Sequence, residues 1–230
     1  MVSATLFINL ARSAPYFSVL TFQFSVFSNE AHAYLKKIYN FEKNYRNIHL
    51  TMEKIKLLDR RFKTMIPAEE IDKAVQRVAD QLNERYAGKT PIFVGVLSGA
   101  FLFLSDLVRK TTFDCRLAFV KISSYEGTQS TGTIKQHLGI DFDIEGKDVI
   151  IVEDIVETGH SMNYLLDYLK ERNPASISIC TLFFKPEKFL YEYNIDYVAM
   201  PIGNEFIVGY GLDYNQIGRN LKDIYVLDED

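Results

Sequence analysis

The sequence predicts an α/β domain, a central and mostly parallel sheet flanked by helices, and three observations predict it. Residues 92–97, 148–152 and 176–184 are short apolar runs, too continuous for half-exposed strands and typical of strands buried on both faces. Stretches of helical periodicity alternate with them, the pattern of strands laid down in parallel. The chain's 47% hydrophobic against 24% charged residues, over 230 positions, supplies a full-sized core for one domain plus an appendage.

Each element has its own signal. Ile71, Val75, Val78, Ala79, Leu82 and Tyr86 recur at helical spacing. With Pro67 at the start, Glu69 and Glu70 in the first turn and Gly88 just beyond, they predict a helix over 67–86 that packs one face on a core. Strand 92–97 leads into a helix over 99–110, and residues 115–122 form the next strand. The polar stretch 123–133, with Gly127 and Gly132, cannot bury itself and reads as a mobile loop. Strand 148–152 is followed by a helix over 161–172, carried by Met162, Leu165, Leu166 and Leu169, and then by strand 176–184. Residues 197–200 and 224–227 are further strand candidates, with the apolar, glycine-punctuated segment 206–214 between them. In such sheets ligands bind beyond the carboxyl ends of the strands, so function belongs to the loops after residues 97, 122, 152 and 184.

Residues 1–51 differ from the rest. Arg12 is the only charge before Glu30, and this region holds five Lys/Arg against two Asp/Glu, so the acidity of the chain belongs to residues 52–230. The predicted organisation is an atypical extension over 1–51, ahead of a start at Met52, and a domain over 52–230. Asn9, Arg12, Ser13 and Pro15 break the apolar run, and no basic region precedes it, which fits neither a signal peptide nor a membrane span. A targeting segment or a functional element remains an alternative.

Composition excludes several function classes. A net charge of -4 argues against a nucleic-acid-coating surface, which would need Lys and Arg in excess. Cys115 and Cys180 lie far apart in apolar runs and read as buried, reduced thiols of a cytoplasmic protein. His32, His49, His137 and His160 make no zinc signature, and no Gly-x-Ser-x-Gly elbow occurs. A small-molecule ligand is the expectation, with neither nucleic acid nor membrane as partner.

The chemistry concentrates after strand 148–152. Glu153 and Asp154 place adjacent carboxylates at a strand end, where alternation points them to different sides. Thr158-Gly159-His160-Ser161 then turns into a helix, and backbone N–H groups at such a turn, with Thr and Ser hydroxyls beside them, suit a phosphate monoester. The plain alternative is a strand-to-helix loop in which Thr158 and Ser161 cap the helix.

The string Val152-Glu153-Asp154-Ile155-Val156-Glu157-Thr158-Gly159 resembles the phosphoribosyl-pyrophosphate motif of type I phosphoribosyltransferases. Val96 to Ala100 resembles the pyrophosphate loop of the hypoxanthine-guanine members, Ser123-Ser124-Tyr125 with Gln129 to Gly132 their flexible loop, and Val208 to Asn215 their C-terminal signature. The matches run in order through residues 52–230. The resemblance implies the type I fold with a small hood subdomain, a homodimer or homotetramer, and transfer of phosphoribosyl from phosphoribosyl pyrophosphate to hypoxanthine or guanine with Mg2+.

Residue by residue, it implies that Glu153 and Asp154 bind the ribose hydroxyls, directly or through magnesium, and that Glu157, Thr158, Gly159, His160 and Ser161 cradle the 5′-phosphate. Ser98-Gly99 offers backbone N–H to pyrophosphate, through a non-proline cis peptide at that site. Lys185 donates to the purine 6-oxo group, Phe206 stacks on the base and Ile207 reads its edge through the backbone; for the last two the alternative is plain core. Asp213 holds a second magnesium and Arg219 binds pyrophosphate. Ser124 and Tyr125 close over the reactants.

Three positions depart from the family pattern. Glu157 stands where an aspartate near purine N7 is usual, so the resemblance implies that it assists proton removal there and supports developing positive charge; Ser98 replaces a frequent lysine, and Ser161 replaces a frequent threonine. A nucleotide-sensing regulator on the same fold would tolerate loss of the carboxylate at 157 and often carry a basic face; this body is acidic and keeps the set. A xanthine-preferring transferase would differ only around Lys185, Phe206 and Ile207.

Overall fold

The computed structural model describes residues 53–124 and 134–228. Two sheets organise them. β1 (Lys54–Leu57) and β2 (Arg60–Ile66) form an antiparallel hairpin, and β2 also pairs with β10 (Ile224–Leu227), which pairs with β9 (Ile207–Val208). Phe62, Val208 and Tyr225 fill the core of this small four-stranded sheet. β1 and β2 carry no clear signal in the sequence: their apolar residues are few and flanked by Lys54, Lys56, Arg60, Arg61 and Lys63, and the strand that completes them lies at the far end of the chain.

The larger sheet carries β3 (Ile92–Leu97), β4 (Arg116–Ser124), β5 (Ile134–Leu138), β6 (Asp148–Val156), β7 (Ser176–Phe184) and β8 (Tyr197–Pro201) in the order β5-β4-β3-β6-β7-β8. Five strands run parallel and β5 is the antiparallel edge. Ile92, Phe93, Val94 and Val149 to Val152 are buried on both faces, which is why they read as unbroken apolar runs.

α1 (Ala68–Arg85) follows Pro67 as predicted, burying Ile71, Ala74, Val75, Val78, Ala79 and Leu82 on one stripe. Each full burial of a large aliphatic side chain is worth about 1.5–3 kcal/mol, so this face rather than helix propensity holds α1 in place. α2 (Phe101–Lys110) and α3 (His160–Lys170) start and stop within about two residues of the predicted limits. Cys180 is buried, but Cys115 is only partly so, because it precedes β4 in the connection from α2 rather than lying in the sheet.

The order of the sheet positions the site. From β3 the chain moves outward to β4 and β5, then returns to the other side of β3 with β6. That reversal is a topological switch point, and the crevice lies at the carboxyl ends of β3 and β6. Their ladder stops at Gly95↔Val152, while β3 continues against β4 to Leu97 and β6 continues against β7 to Val156. The two strands therefore part, and the residues after Val152 flank the opening.

Candidate active site

Glu153 and Asp154 sit on the parting edge. They are not at the end of the strand, as the sequence suggested, but inside it, because pairing with β7 extends β6 to Val156. Burial pushes the Glu153 carboxyl well above its usual range, and the charge of Asp154 adds to this. Burial likewise raises Asp154, opposed by its hydrogen bonds and by the nearby Arg219 guanidinium. Each carboxylate also turns back on the backbone: Asp154 N–H donates to Glu153 Oε1 at 3.2 Å, and Ile155 N–H to Asp154 Oδ1 at 2.9 Å.

Gly99 is the point at which three segments meet, with Asp154 on one side and Gly211 on the other. A Cβ on Gly99 would lie 1.5 Å from Asp154 Oδ2, so only glycine fits beneath that carboxylate. A Cβ on Gly211 would in turn lie 2.1 Å from the Gly99 carbonyl oxygen. Arg219 Nη1 donates to the Gly211 carbonyl at 2.7 Å, and Arg219 Nη2 pairs with Asp213 Oδ1 at 2.5 Å. The other oxygen of Asp213 accepts the Gln216 N–H at 2.7 Å. The non-proline cis bond joins Leu97 to Ser98, one bond before the Ser98–Gly99 bond expected from sequence. The ladder with β4 ends at Leu97, so the turn begins at the first peptide free of it.

Glu157 has the opposite surroundings. Its Oε1 accepts from Lys185 Nζ at 2.8 Å and its Oε2 from Lys188 Nζ at 2.9 Å. Burial alone raises this carboxyl, but the two lysine hydrogen bonds and charges outweigh it and hold Glu157 below its ordinary value. Lys185 is buried, not solvated as a lone lysine after a strand usually is, and Nζ also donates to the Glu205 carbonyl at 3.0 Å. Phe206 is 48% exposed, with Phe62 and Tyr214 rings 6.3 and 6.0 Å away, so it is not plain core, whereas Ile207 is buried.

At the Thr158 to Ser161 turn Gly159 adopts φ +87° and precedes α3, and no side chain caps the helix, which removes the capping alternative for Thr158 and Ser161. The Thr158 carbonyl accepts the Leu190 N–H at 3.2 Å, and the Gly159 carbonyl accepts the Tyr193 hydroxyl at 2.7 Å. His160 Nδ1 lies 2.7 Å from the Tyr191 hydroxyl. Lys188, Glu205, Tyr191 and Tyr193 join the site without a motif to mark them; their one signal in the sequence is the density of aromatics just after Lys185. Tyr125 and residues 129–132 lie outside the described residues. Ser124 is the last residue of β4, which extends two residues further than the strand predicted to end at 122 because it pairs with β5.

The model of the phosphoribosyl transferase domain family matches residues 67–215. A hypoxanthine-guanine phosphoribosyltransferase of Streptococcus pneumoniae is 43% identical over 169 residues, 73% of this chain and 94% of that protein. Its counterpart in Aquifex aeolicus is 38% identical over 172 residues, 74% of this chain and 97% of that one. Among solved structures, a hypoxanthine-guanine phosphoribosyltransferase from Bacillus anthracis matches with TM-score 0.69 at 36% identity, over 72% of this chain and 98% of its own. The hypoxanthine phosphoribosyl transferase of Trypanosoma cruzi matches with TM-score 0.69 at 34% identity, over 76% of this chain and 95% of its own.

Proposed function

The chain belongs to the hypoxanthine-guanine phosphoribosyltransferases, and from that premise we propose how its residues divide the work of purine salvage. The enzyme transfers 5-phosphoribosyl from phosphoribosyl pyrophosphate to hypoxanthine or guanine, giving IMP or GMP and pyrophosphate. The observation that carries the assignment of roles is the meeting of three segments at Gly99: the Ser98-Gly99 turn, Asp154 of β6 and the Gly211 to Arg219 loop.

Displacement at ribose C1 proceeds through a cation-like transition state, with purine N9 attacking as pyrophosphate leaves. In this reading Glu153 and Asp154 receive the ribose hydroxyls, Thr158 to Ser161 hold the 5′-phosphate, and Ser98-Gly99 with Arg219 receives the departing pyrophosphate. Lys185, fixed by Glu157 and the Glu205 carbonyl, presents an ammonium donor to the 6-oxo group, which adenine lacks. Phe206 is exposed enough to stack on the base, and Ile207 reads its edge through the backbone. Glu157 is ionised and tied to two lysines, which favours its supporting positive charge near N7 over its taking a proton. Ser124 and Tyr125 complete the reading as a closure that excludes water.

Magnesium fits the acids present. Glu153 and Asp154 are desolvated neighbours whose ionised forms repel, a cost that a hard divalent cation offsets. Among the described residues no cluster of three or more His, Cys, Asp or Glu would hold a metal alone, consistent with an ion shared with substrate oxygens. Glu153, Asp154 and, once released from Arg219, Asp213 are the residues that would hold it, and its charge would stabilise the phosphate oxygens.

No helix among the described residues is long and apolar enough to cross a membrane. We place the enzyme in the cytoplasm from its two cysteines, read as reduced thiols, and its net charge of -4 speaks against nucleic acid as a partner. A homodimer or homotetramer is proposed, with the exposed Leu117 and Phe119 of β4 as an apolar surface for it. Residues 1–51 are proposed to be an extension that is not part of the domain over 52–230. A spectrophotometric assay with each purine base, phosphoribosyl pyrophosphate and magnesium tests the function: turnover is expected with hypoxanthine or guanine and not adenine. Absence of turnover with both 6-oxopurines would overturn it.

A further inference from the structure

We propose that the β7–β8 connection over residues 189–193 is a strap that aims the backbone donors of the 5′-phosphate turn, with Tyr193 and Tyr191 as its positioning residues. The inference rests on the assignment of Thr158 to Ser161 to the 5′-phosphate.

Three contacts tie the strap to three consecutive residues of the turn. Leu190 N–H donates to the Thr158 carbonyl at 3.2 Å, the Tyr193 hydroxyl donates to the Gly159 carbonyl at 2.7 Å, and the Tyr191 hydroxyl meets His160 Nδ1 at 2.7 Å. In a planar trans peptide the C=O and the following N–H point in opposite directions. Anchoring the Thr158 carbonyl on the strap therefore aims the Gly159 N–H away from it, and anchoring the Gly159 carbonyl does the same for the His160 N–H. Those are two adjacent donors at the start of α3, where an anion is favoured. Where the Tyr191 phenol donates to Nδ1, the His160 ring keeps its proton on Nε2, and that N–H becomes a side-chain donor for the same phosphate.

The strap is built to stay in place. Phe189 and Tyr193 meet edge to face at 5.1 Å, and Tyr191 and Tyr193 lie 5.3 Å apart. Gly159 is pressed against all three rings: a Cβ there would meet Phe189, Tyr193 and Tyr191 at 2.7, 2.8 and 2.9 Å. Burial, with the neighbouring Tyr191 adding to it, pushes the Tyr193 phenol up to about 12, so it remains a donor throughout the working pH range. The Gly159 carbonyl also accepts the Asn163 N–H at 2.8 Å, the first hydrogen bond of α3, so strap, turn and helix meet at one oxygen.

The test uses the full chain with Tyr193→Phe and Tyr191→Phe, each of which keeps its ring and loses its hydroxyl. Binding of IMP, inosine and pyrophosphate is measured beside steady-state kinetics with each substrate varied. Losing one such bond is expected to weaken IMP and raise the KM for phosphoribosyl pyrophosphate about 5-fold in Tyr193→Phe. Tyr191→Phe should weaken IMP by about 3-fold. Affinity for inosine and pyrophosphate, the KM for hypoxanthine and kcat should stay within about 2-fold of the parent, a pattern that general loosening of the fold would not produce. Unchanged IMP affinity in both variants, or equal losses for IMP and pyrophosphate, would overturn the strap. If the parent enzyme itself binds IMP no better than inosine, the 5′-phosphate assignment fails first, and the strap with it.

Discussion

Glu153 with Asp154, and Glu157 three residues on, are carboxylates on one stretch of chain that the fold treats in opposite ways. Burial raises the first two above their ordinary range, whereas two lysines hold the third below it. The difference lies in who supplies the positive charge. Glu157 has Lys185 and Lys188 from the protein; Asp154 is lowered first by its hydrogen bonds and then by the charge of Arg219, which together do not outweigh its burial. A desolvated pair of acids without a full counter-charge is destabilising by itself and is a place for a ligand that brings cations or hydroxyl donors.

The contrast can be broken in three ways. The largest effect is expected from the double variant Glu153→Gln with Asp154→Asn: turnover falls at least about 100-fold as the ribose and magnesium contacts go. Yet the substrate-free variant in EDTA should melt higher than the parent, by about 2–4 °C for each kcal/mol of relieved burial cost. The sign follows from linkage: raised carboxyl values in the fold cost stability as pH climbs through the ordinary carboxylate range, so the advantage of the variant should shrink on acidification. Calorimetry showing a lower melting temperature at neutral pH would end the comparison.

Glu157→Gln should do the reverse to stability. It leaves the buried Lys185 ammonium without its counter-ion, at a cost of about 1–2 kcal/mol after allowing for the partial exposure of Glu157. Because the folded value of Glu157 is lowered, its contribution is present above the ordinary carboxylate range and is lost as pH falls through the folded value. Turnover should fall about 30-fold, with little change in 5′-phosphate affinity. An unchanged rate would remove Glu157 from the neighbourhood of N7.

Lys185→Ala should give the smallest change, about a 10-fold rise in KM for hypoxanthine and guanine with a much smaller one for phosphoribosyl pyrophosphate. Equal rises for base and phosphoribosyl pyrophosphate would contradict its donor role. The same change makes Glu157 more like its neighbours upstream, since its carboxyl should move up once the first of its two lysines is gone.

Much of the fold is legible in the sequence alone. The strands over 92–97, 176–184 and 224–227 have the limits read from their apolar runs, and α1 follows from its apolar stripe and Pro67. Local periodicity and end signals carried that information. β1 and β2 were illegible because their apolar content is thin and their stability comes from β10, some 160 residues later in the chain. The motif acids were legible as a pair, but their place inside β6 was not, since it depends on pairing with β7. Lys188, Tyr191 and Tyr193 belong to a connection with no periodic signal, and only folding brings them to Glu157 and Gly159.

The sequence by itself determined the alternation of strands and helices, the chemical groups available and, through four ordered motifs, the family. Tertiary structure decided that β6 lies beside β3 and parts from it after Val152, and that Asp154 meets Gly99. It also decided which carboxylates gain counter-charges. The reason is physical: helix and strand preferences are set by residues a few positions apart, whereas desolvation and ion pairing sum over neighbours that the chain brings from far away.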